Sequence, residues 1–486
     1  MDPVTLGFIL YLALILSVGF YTARLTKSMK DFALGGQRLG PWVIAFSERA
    51  SGESAWLILG LPGAALVAGL LELWTVVGCI SGIIFSWFFI AKRLRETTEE
   101  YGALTLPELF AKRFSDDGGI LRILASLIIT FFFTFYVAAQ FAGAGKVLNV
   151  TFGITQMQGM LIGAIIIVFY TLMGGFLAVA WTDMVQGIIM IGTLVVLPVV
   201  GFIEINALPS VEFSFDAGNL FAGKAGMVAL AAAIGGLSWG LGYMGQPHLV
   251  TRFMAIDKAS NIKISRRIAI SWAVPAFFGS MFIGLTGYFL LQAGVMNYEG
   301  QMLTGVASLS DPEKLMPIMA QNLLHPWIAG IFISGAIAAM MSTADSQLLV
   351  STTVLTEDLI GNFSQQIKNR FDLLAIGRFL TILIGILAFF LAWQSTDLVF
   401  EMVSYAWGGL GASFGPALLL TLWWKRVSKI GVIAGMVSGT LFTVIDLFGA
   451  WVTVRFSAFI IAFLAVYIFS IIKPDTSAAL DDKQMG

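Results

Sequence analysis

Apolar residues fill this chain in runs of about twenty or more, far longer than a strand or a surface helix needs. Polar residues gather in short connections between them. Thirteen runs can be drawn, at 5–23, 41–70, 73–91, 120–148, 157–175, 181–204, 227–248, 267–292, 326–357, 374–393, 396–421, 428–448 and 452–472. The pattern predicts an all-α integral membrane protein of about 13 transmembrane helices, a single transmembrane domain over 1–486 with a polar cytoplasmic tail at 474–486. The first run lacks a basic leader and a small-residue cleavage site, so it reads as a retained helix.

Cationic residues give the orientation. With the N-terminus outside, the groups Arg24, Lys27, Lys30 and Arg38; Lys92, Arg93 and Arg95; Lys258, Lys263, Arg266 and Arg267; and Lys425, Arg426 and Lys429 all fall on the cytoplasmic side. The outer side keeps Lys146, Lys224, Lys314 and Arg455. This asymmetry predicts N-terminus out and C-terminus in. The larger external connections are then 205–226 and 293–325, the second with a short surface helix around DPEKLMPIMAQNLL.

Two runs are irregular. The second contains ERASGES, Glu48 to Ser54, and the seventh contains GGLSWGLGYMGQPH, with five glycines and a proline in fourteen residues. Both read as helices that break in mid-membrane. Unwound backbone is tolerated there only inside protein or along a cavity, so two breaks five spans apart suggest a 5+5 inverted repeat with a site between the halves. The other reading of the glycines is close helix packing.

Composition agrees with the membrane assignment: 58% of the 486 residues are hydrophobic and 12% charged. The mean hydropathy is +0.88. The one cysteine, Cys79, lies in an apolar run and reads as a small buried hydrophobe. Neither histidine, His248 or His325, has a metal-ligand partner in sequence, and there is no Walker loop or nucleophile elbow. No enzymatic activity, ATP-driven transport or nucleic-acid partner is expected. A channel would need a continuous polar pore lining, which these runs do not offer.

Candidate chemistry lies in AIAAMMSTADSQLLV, where Ala339, Ser342, Thr343 and Ser346 share one helical face and Asp345 flanks it. Hydroxyl and carbonyl oxygens are hard donors, which suit an alkali cation better than zinc or copper. Such hydroxyls also commonly bond back to their own helical turn.

The segments LPGA at 61–64, YTLMGGFLAVAWTDMVQ at 170–186, WGLGYMGQPHLVTRFMA at 239–255, MSTADSQLLV at 341–350 and VSYAWGGLGASFGP at 403–416 resemble the sodium/solute symporter family, most of all its proline-transporting bacterial members. The resemblance implies the leucine-transporter fold: an extra N-terminal helix at 5–23, a first repeat at 41–204, a second at 227–421 and two C-terminal helices at 428–472. It implies a secondary active symporter of the plasma (inner) membrane, with Na+ as coupling ion (H+ as the alternative) and a small amino acid, proline, as solute. Another solute, or a transport-inactive sensor, are the rival readings. Besides solute and lipid, no obligatory protein partner is expected.

Carried over by position, the sodium site falls on Ala50, Glu53, Ala339, Ser342 and Thr343. The solute site falls on Ser54, Trp56, Gly60, Tyr136, Gln140, Trp239, Tyr243 and Pro247. Asp183, Asp345 and Ser346 would form a second cation site or exit path. The chain departs from the resemblance at Gly52, where those members carry an aspartate, and at Glu48 and Arg49, where they carry small residues. Arg49 and Glu53 are four apart and could pair as a neutralised strut, or the carboxylates could tune ion coupling.

Overall fold

In lipid, backbone polar groups are satisfied only within a helix or a closed barrel, and runs of Leu, Ile, Phe and Ala choose the helix. The computed structural model describes residues 3–25, 29–208, 221, 223–361, 373–445 and 453–474. Lys27, residues 209–220 of the expected connection 205–226 and the tail from 475 lie outside the described residues. The principal helices are α1 (Pro3–Ala23), α2 (Pro41–Gly52), α3 (Leu61–Ala68), α4 (Leu73–Phe85), α5 (Ala91–Tyr101), α6 (Ile120–Phe152), α7 (Gln156–Ala207) and α8 (Gly226–Leu237). They continue with α9 (Pro247–Ala255), α10 (Ile262–Gln292), α11 (Leu315–Leu323), α12 (Pro326–Thr353), α13 (Leu373–Gln394), α14 (Val399–Trp423), α15 (Lys429–Ile445) and α16 (Val454–Ile472). One small antiparallel pair, Met296–Tyr298 with Gln301–Leu303, is the only sheet among the described residues.

Helix occupies most of the described part of each predicted run, but the count of spans by length and composition is lower than thirteen. Eight helical stretches qualify among the described residues, and a ninth if the bent pair Gly226–Gly242 and Pro247–Ala255 is one span. The reasons are local. Gln156–Leu172 and Lys429–Ile445 are apolar but short, and Trp56–Tyr101 runs through the expected connection after 70 as one stretch. Within it the chain bends at Gly69, whose φ of 61° and ψ of −135° only glycine adopts readily. The long α7 covers two predicted runs, and a single non-helical residue, Gly175 at φ 62°, separates them.

Both predicted breaks are present. Of ERASGES only Glu53 and Ser54 leave the helix, at a Glu53 φ of −107° and ψ of 75°, so α2 keeps Glu48 to Gly52 in helical register. The second break bends by 40° between the turn at Trp239–Gly242 and α9, whose first residue is Pro247. Its inner half runs on to Ala255, beyond the predicted end at 248. The glycines around this break pack rather than merely unwind: a Cβ at Gly240 would stand 2.3 Å from the Gly78 carbonyl oxygen, and one at Gly82 would stand 2.2 Å from that of Gly240. The close-packing reading therefore holds together with the broken helix, and Gln246 and Pro247 supply the break itself.

Helix α12 forms the centre, packed on α7, α6, α1 and α2. Residues at 78% of its most apolar window are buried, against 28% for α1 and α16, so its hydroxyls face protein rather than lipid. The expected surface helix near 315 is instead buried: Leu315 to Ala320 of α11 are enclosed. Its apolar residues LMPIMA fill a gap beside α7, α12 and α6. Lys146, expected in an outer connection, is likewise buried within α6, where its ammonium lies 2.6 Å from Glu313 and 2.9 Å from Asp311.

Candidate functional site

Breaking α2 at Glu53 frees the last carbonyls of that helix from their usual i+4 partners. Two of them meet the hydroxyl face of α12. Ser342 Oγ donates to the Ala50 carbonyl at 2.9 Å and lies 3.1 Å from that of Ala339, and Thr343 Oγ1 donates to the Ser51 carbonyl at 3.0 Å. Ala50, Ala339, Ser342 and Thr343 are thus brought together. The Glu53 carboxylate pairs with Arg49 and Tyr243, and Ser51, which was not assigned from sequence, supplies the carbonyl facing Thr343. Beyond the break, the Ala55 amide is taken by Gln140 Oε1 at 3.0 Å, which gives α6 a hold on the resumed helix.

The charges of ERASGES form one buried chain. Arg49 donates through Nε to Glu48 Oε2 at 2.6 Å and through Nη1 to Glu53 Oε1 at 2.7 Å, with a further bond from Nη2 to Glu48. Trp87 Nε1 donates to Glu48 at 3.1 Å, and Tyr243 OH donates to Glu53 at 3.0 Å. The helical i,i+4 geometry that sequence suggested for Arg49 and Glu53 is therefore realised. Through Tyr243 the chain reaches from the first break to the second.

Aromatic rings fill the space between the breaks. Trp56 stacks on Trp239 at 4.7 Å between centroids and 17° between planes. Trp407 stands edge-on to Tyr243 at 4.6 Å and to Tyr136 at 6.4 Å. Phe400 completes the box 5.0 Å from Trp239, and Phe277 lies 5.7 Å from Trp56. Trp407, Phe400 and Phe277 were not singled out in the sequence, although Trp407 lies within VSYAWGGLGASFGP. Gly60 is where Phe400 comes close, 3.1 Å from a Cβ placed there. Ser54 accepts loosely from the Trp56 amide at 3.4 Å, and Pro247 opens α9 beside His248, whose ring lies edge-on to Phe133 and Tyr136.

Deeper along α2 lies a third group. Asp183 of α7 accepts from Ser47 at 2.7 Å and Ser51 at 3.0 Å, while Ser346 donates to Asp345 at 3.2 Å and lies 3.0 Å from Ser51 Oγ. Of the three residues expected here, Asp183 and Ser346 meet at Ser51, and Asp345 joins through Ser346. A fourth, unassigned from sequence, is Arg252 of α9. Its Nη2 lies 3.0 Å from Asp183 Oδ2, 2.7 Å from Ser51 Oγ and 2.5 Å from Ser346 Oγ.

With this geometry in view, the comparisons with known proteins agree. The model of the sodium:solute symporter family matches residues 32–439. The chain is 37% identical over 484 residues to the high-affinity proline transporter PutP of Bacillus subtilis, covering 96% of this chain and 98% of that one. It is 36% identical over 489 residues to the sodium/proline symporter of Escherichia coli K12, covering 99% and 95%. Among solved structures, the substrate-bound outward-open state of a Na+-coupled sialic acid symporter matches with a TM-score of 0.76 at 17% identity, over 97% of this chain and 98% of that one. The nucleobase-cation-symport-1 transporter Mhp1 in a closed conformation matches with a TM-score of 0.55 at 13% identity, over 89% and 91%. These likenesses establish the leucine-transporter fold and a multi-pass membrane protein. The chain belongs to the sodium:solute symporter family.

Proposed function

We propose that this chain is a secondary active symporter that imports proline on the inward sodium gradient by alternating access. One observation carries the reading: carbonyl oxygens released by the break in α2 face the Ser342 and Thr343 hydroxyls at 2.9 and 3.0 Å, next to an aromatic box joining both breaks. A hydroxyl that donates to a carbonyl can rotate and turn its lone pair toward a cation, so both oxygens of each pair become ligands. Hard oxygens in this number suit sodium.

In this reading Ala50, Glu53, Ala339, Ser342 and Thr343 ligate sodium through backbone and hydroxyl oxygens. Ser54, Trp56, Gly60, Tyr136, Gln140, Trp239, Tyr243 and Pro247 surround the solute, with apolar ring faces for the pyrrolidine and a few polar groups for its charged ends. Asp183, Asp345 and Ser346 line the inner path by which the ion leaves. The domain runs as two inverted repeats, 41–204 and 227–421, with the N-terminus outside, thirteen spans and the C-terminus inside. The names of the relatives support proline, and the distribution of Lys and Arg supports the orientation.

Uptake of labelled proline into proteoliposomes tests the reading. An imposed sodium gradient is expected to drive accumulation, and unlabelled proline to compete best among amino acids, sugars and organic acids. Equal accumulation on a proton gradient without sodium, or stronger competition by another solute, would overturn it.

A further inference from the structure

Three connections meet at one end of the helices. Arg95 of α5 donates through Nε to the Ile256 carbonyl at 2.8 Å, shortly before α10, and Arg93 donates through Nη1 to the Leu422 carbonyl at 3.0 Å, in the last turn of α14. The turn Ser86–Ile90, which leads into α5, carries Phe88 and Phe89. The Arg266 guanidinium of α10 lies over the Phe88 ring at 3.7 Å, and that of Arg93 over Trp423 of α14 at 3.4 Å. Phe89 is 6.0 Å from the same indole, whose Nε1 donates to the Phe89 carbonyl at 2.9 Å. Two guanidiniums thus stand on one shelf of rings. Phe88, Phe89 and Trp423 are 51%, 45% and 46% exposed, so the shelf faces outward from the bundle.

Positive charge is in excess there. Arg93, Lys263, Arg266, Arg267, Lys425 and Arg426 have no ion pair among the described residues, whereas Lys92 and Arg95 pair with Glu96 and Glu99. Cations that only orient a helix bundle need charge alone. A guanidinium laid on a ring is held flat, and its N–H edge can meet two phosphate oxygens at once. Arg266 donates no hydrogen bond to protein among the described residues, so all its donors remain for a ligand.

We propose that this shelf binds the headgroup phosphate of an anionic phospholipid of the phosphatidylglycerol type. Arg93 and Arg266 take the phosphate, and Phe88, Phe89 and Trp423 lie against the glycerol and the first acyl carbons. The rings offer apolar surface that a free phosphate cannot use. A zwitterionic headgroup brings its own ammonium, which the surplus cations repel. Because α5 belongs to the first proposed repeat and α10 and α14 to the second, the lipid bridges the two halves at this end.

Native mass spectrometry and melting of the purified protein test this, with phosphatidylglycerol, phosphatidylcholine or inorganic phosphate added. The wild type is expected to retain one phosphatidylglycerol and to melt higher with it, and to do neither with the other two. Arg266→Gln should weaken retention about fivefold, and Arg93→Gln combined with Arg266→Gln about 25-fold, from the usual contribution of one cation near an anionic headgroup. Arg24→Gln, which removes an exposed cation after α1, should leave retention unchanged. Equal retention by the wild type and the double variant, equal retention of phosphatidylcholine, the same stabilisation by inorganic phosphate, or an equal loss in Arg24→Gln overturns the proposal. If the double variant fails to fold once Arg93 no longer bonds Leu422, Arg266→Gln decides it alone, since it removes no protein hydrogen bond. None of these readouts requires transport, so failure of the symport reading leaves the lipid site standing.

Discussion

Arg49 is clasped by a carboxylate on each side, one its neighbour in sequence and one a helical turn away, and all three side chains are buried. Removing one partner from such a group strands the others without water, which costs about 3–5 kcal/mol. Arg49→Met is therefore expected to lower the thermal melting point strongly in detergent. Glu53→Gln keeps the Arg49–Glu48 bonds and an acceptor for Tyr243, so it should fold. If Glu53 only braces the break, its Gln variant will keep the wild-type dependence on sodium and pH; altered dependence in uptake assays assigns it to coupling. Ser342→Ala and Thr343→Ala each delete one proposed ligand, and a bond to a charged group contributes about 1.5–3 kcal/mol. Each should raise the sodium concentration for half-maximal uptake by roughly 10- to 100-fold. The pair 49–53 and the face 339, 342, 343, 346 were legible in the sequence because helical periodicity makes neighbours of residues three and four apart. Arg252 was not: its aspartate lies 69 positions away, and a lone arginine in HLVTRFMA has no local signal.

At the scale of elements, glycine, serine and proline marked both broken helices, yet their roles divide. In α2 the break falls after the charges rather than among them, which is why the salt bridge survives. Around the second break the glycines admit neighbouring backbone: Gly78 and Gly82 of α4 meet Gly236 and Gly240 closely enough that no Cβ fits. Gly82→Ala is expected to destabilise by about 1–3 kcal/mol through overpacking. Gly118→Ala, where a Cβ meets nothing within 4 Å, should stay within about 0.5 kcal/mol of wild type in the same melting assay. The helix at α11 was expected, but not its burial, because the polar DPEK before it and QN within it resemble a surface element. What encloses it is tertiary.

Across the whole molecule, the turn that leads into that buried segment reaches the aromatic box. Glu313 accepts from Lys146 and from the Val399 and Phe400 amides at 2.8 Å, capping the start of α14 where Phe400 enters the box. A carboxylate at a helix N-terminus also gains from the helix dipole. Glu313→Gln should loosen this end, raising the proline concentration for half-maximal uptake about tenfold, roughly the 1.5 kcal/mol of one charged bond, with the sodium dependence little changed. Kinetics of labelled proline uptake at saturating sodium will show it.

The stacked Trp56 and Trp239 have an optical consequence. Two indoles 4.7 Å apart, with Trp407 at 6.4 Å from Trp239, are close enough for their excited states to couple, and they do so in a chiral, rigid setting. In the proposed reading, a solute that enters between the breaks parts the first pair. The near-ultraviolet dichroism of the protein should then change with solute occupancy, without any added label, and a Trp56→Phe variant should lose that signal.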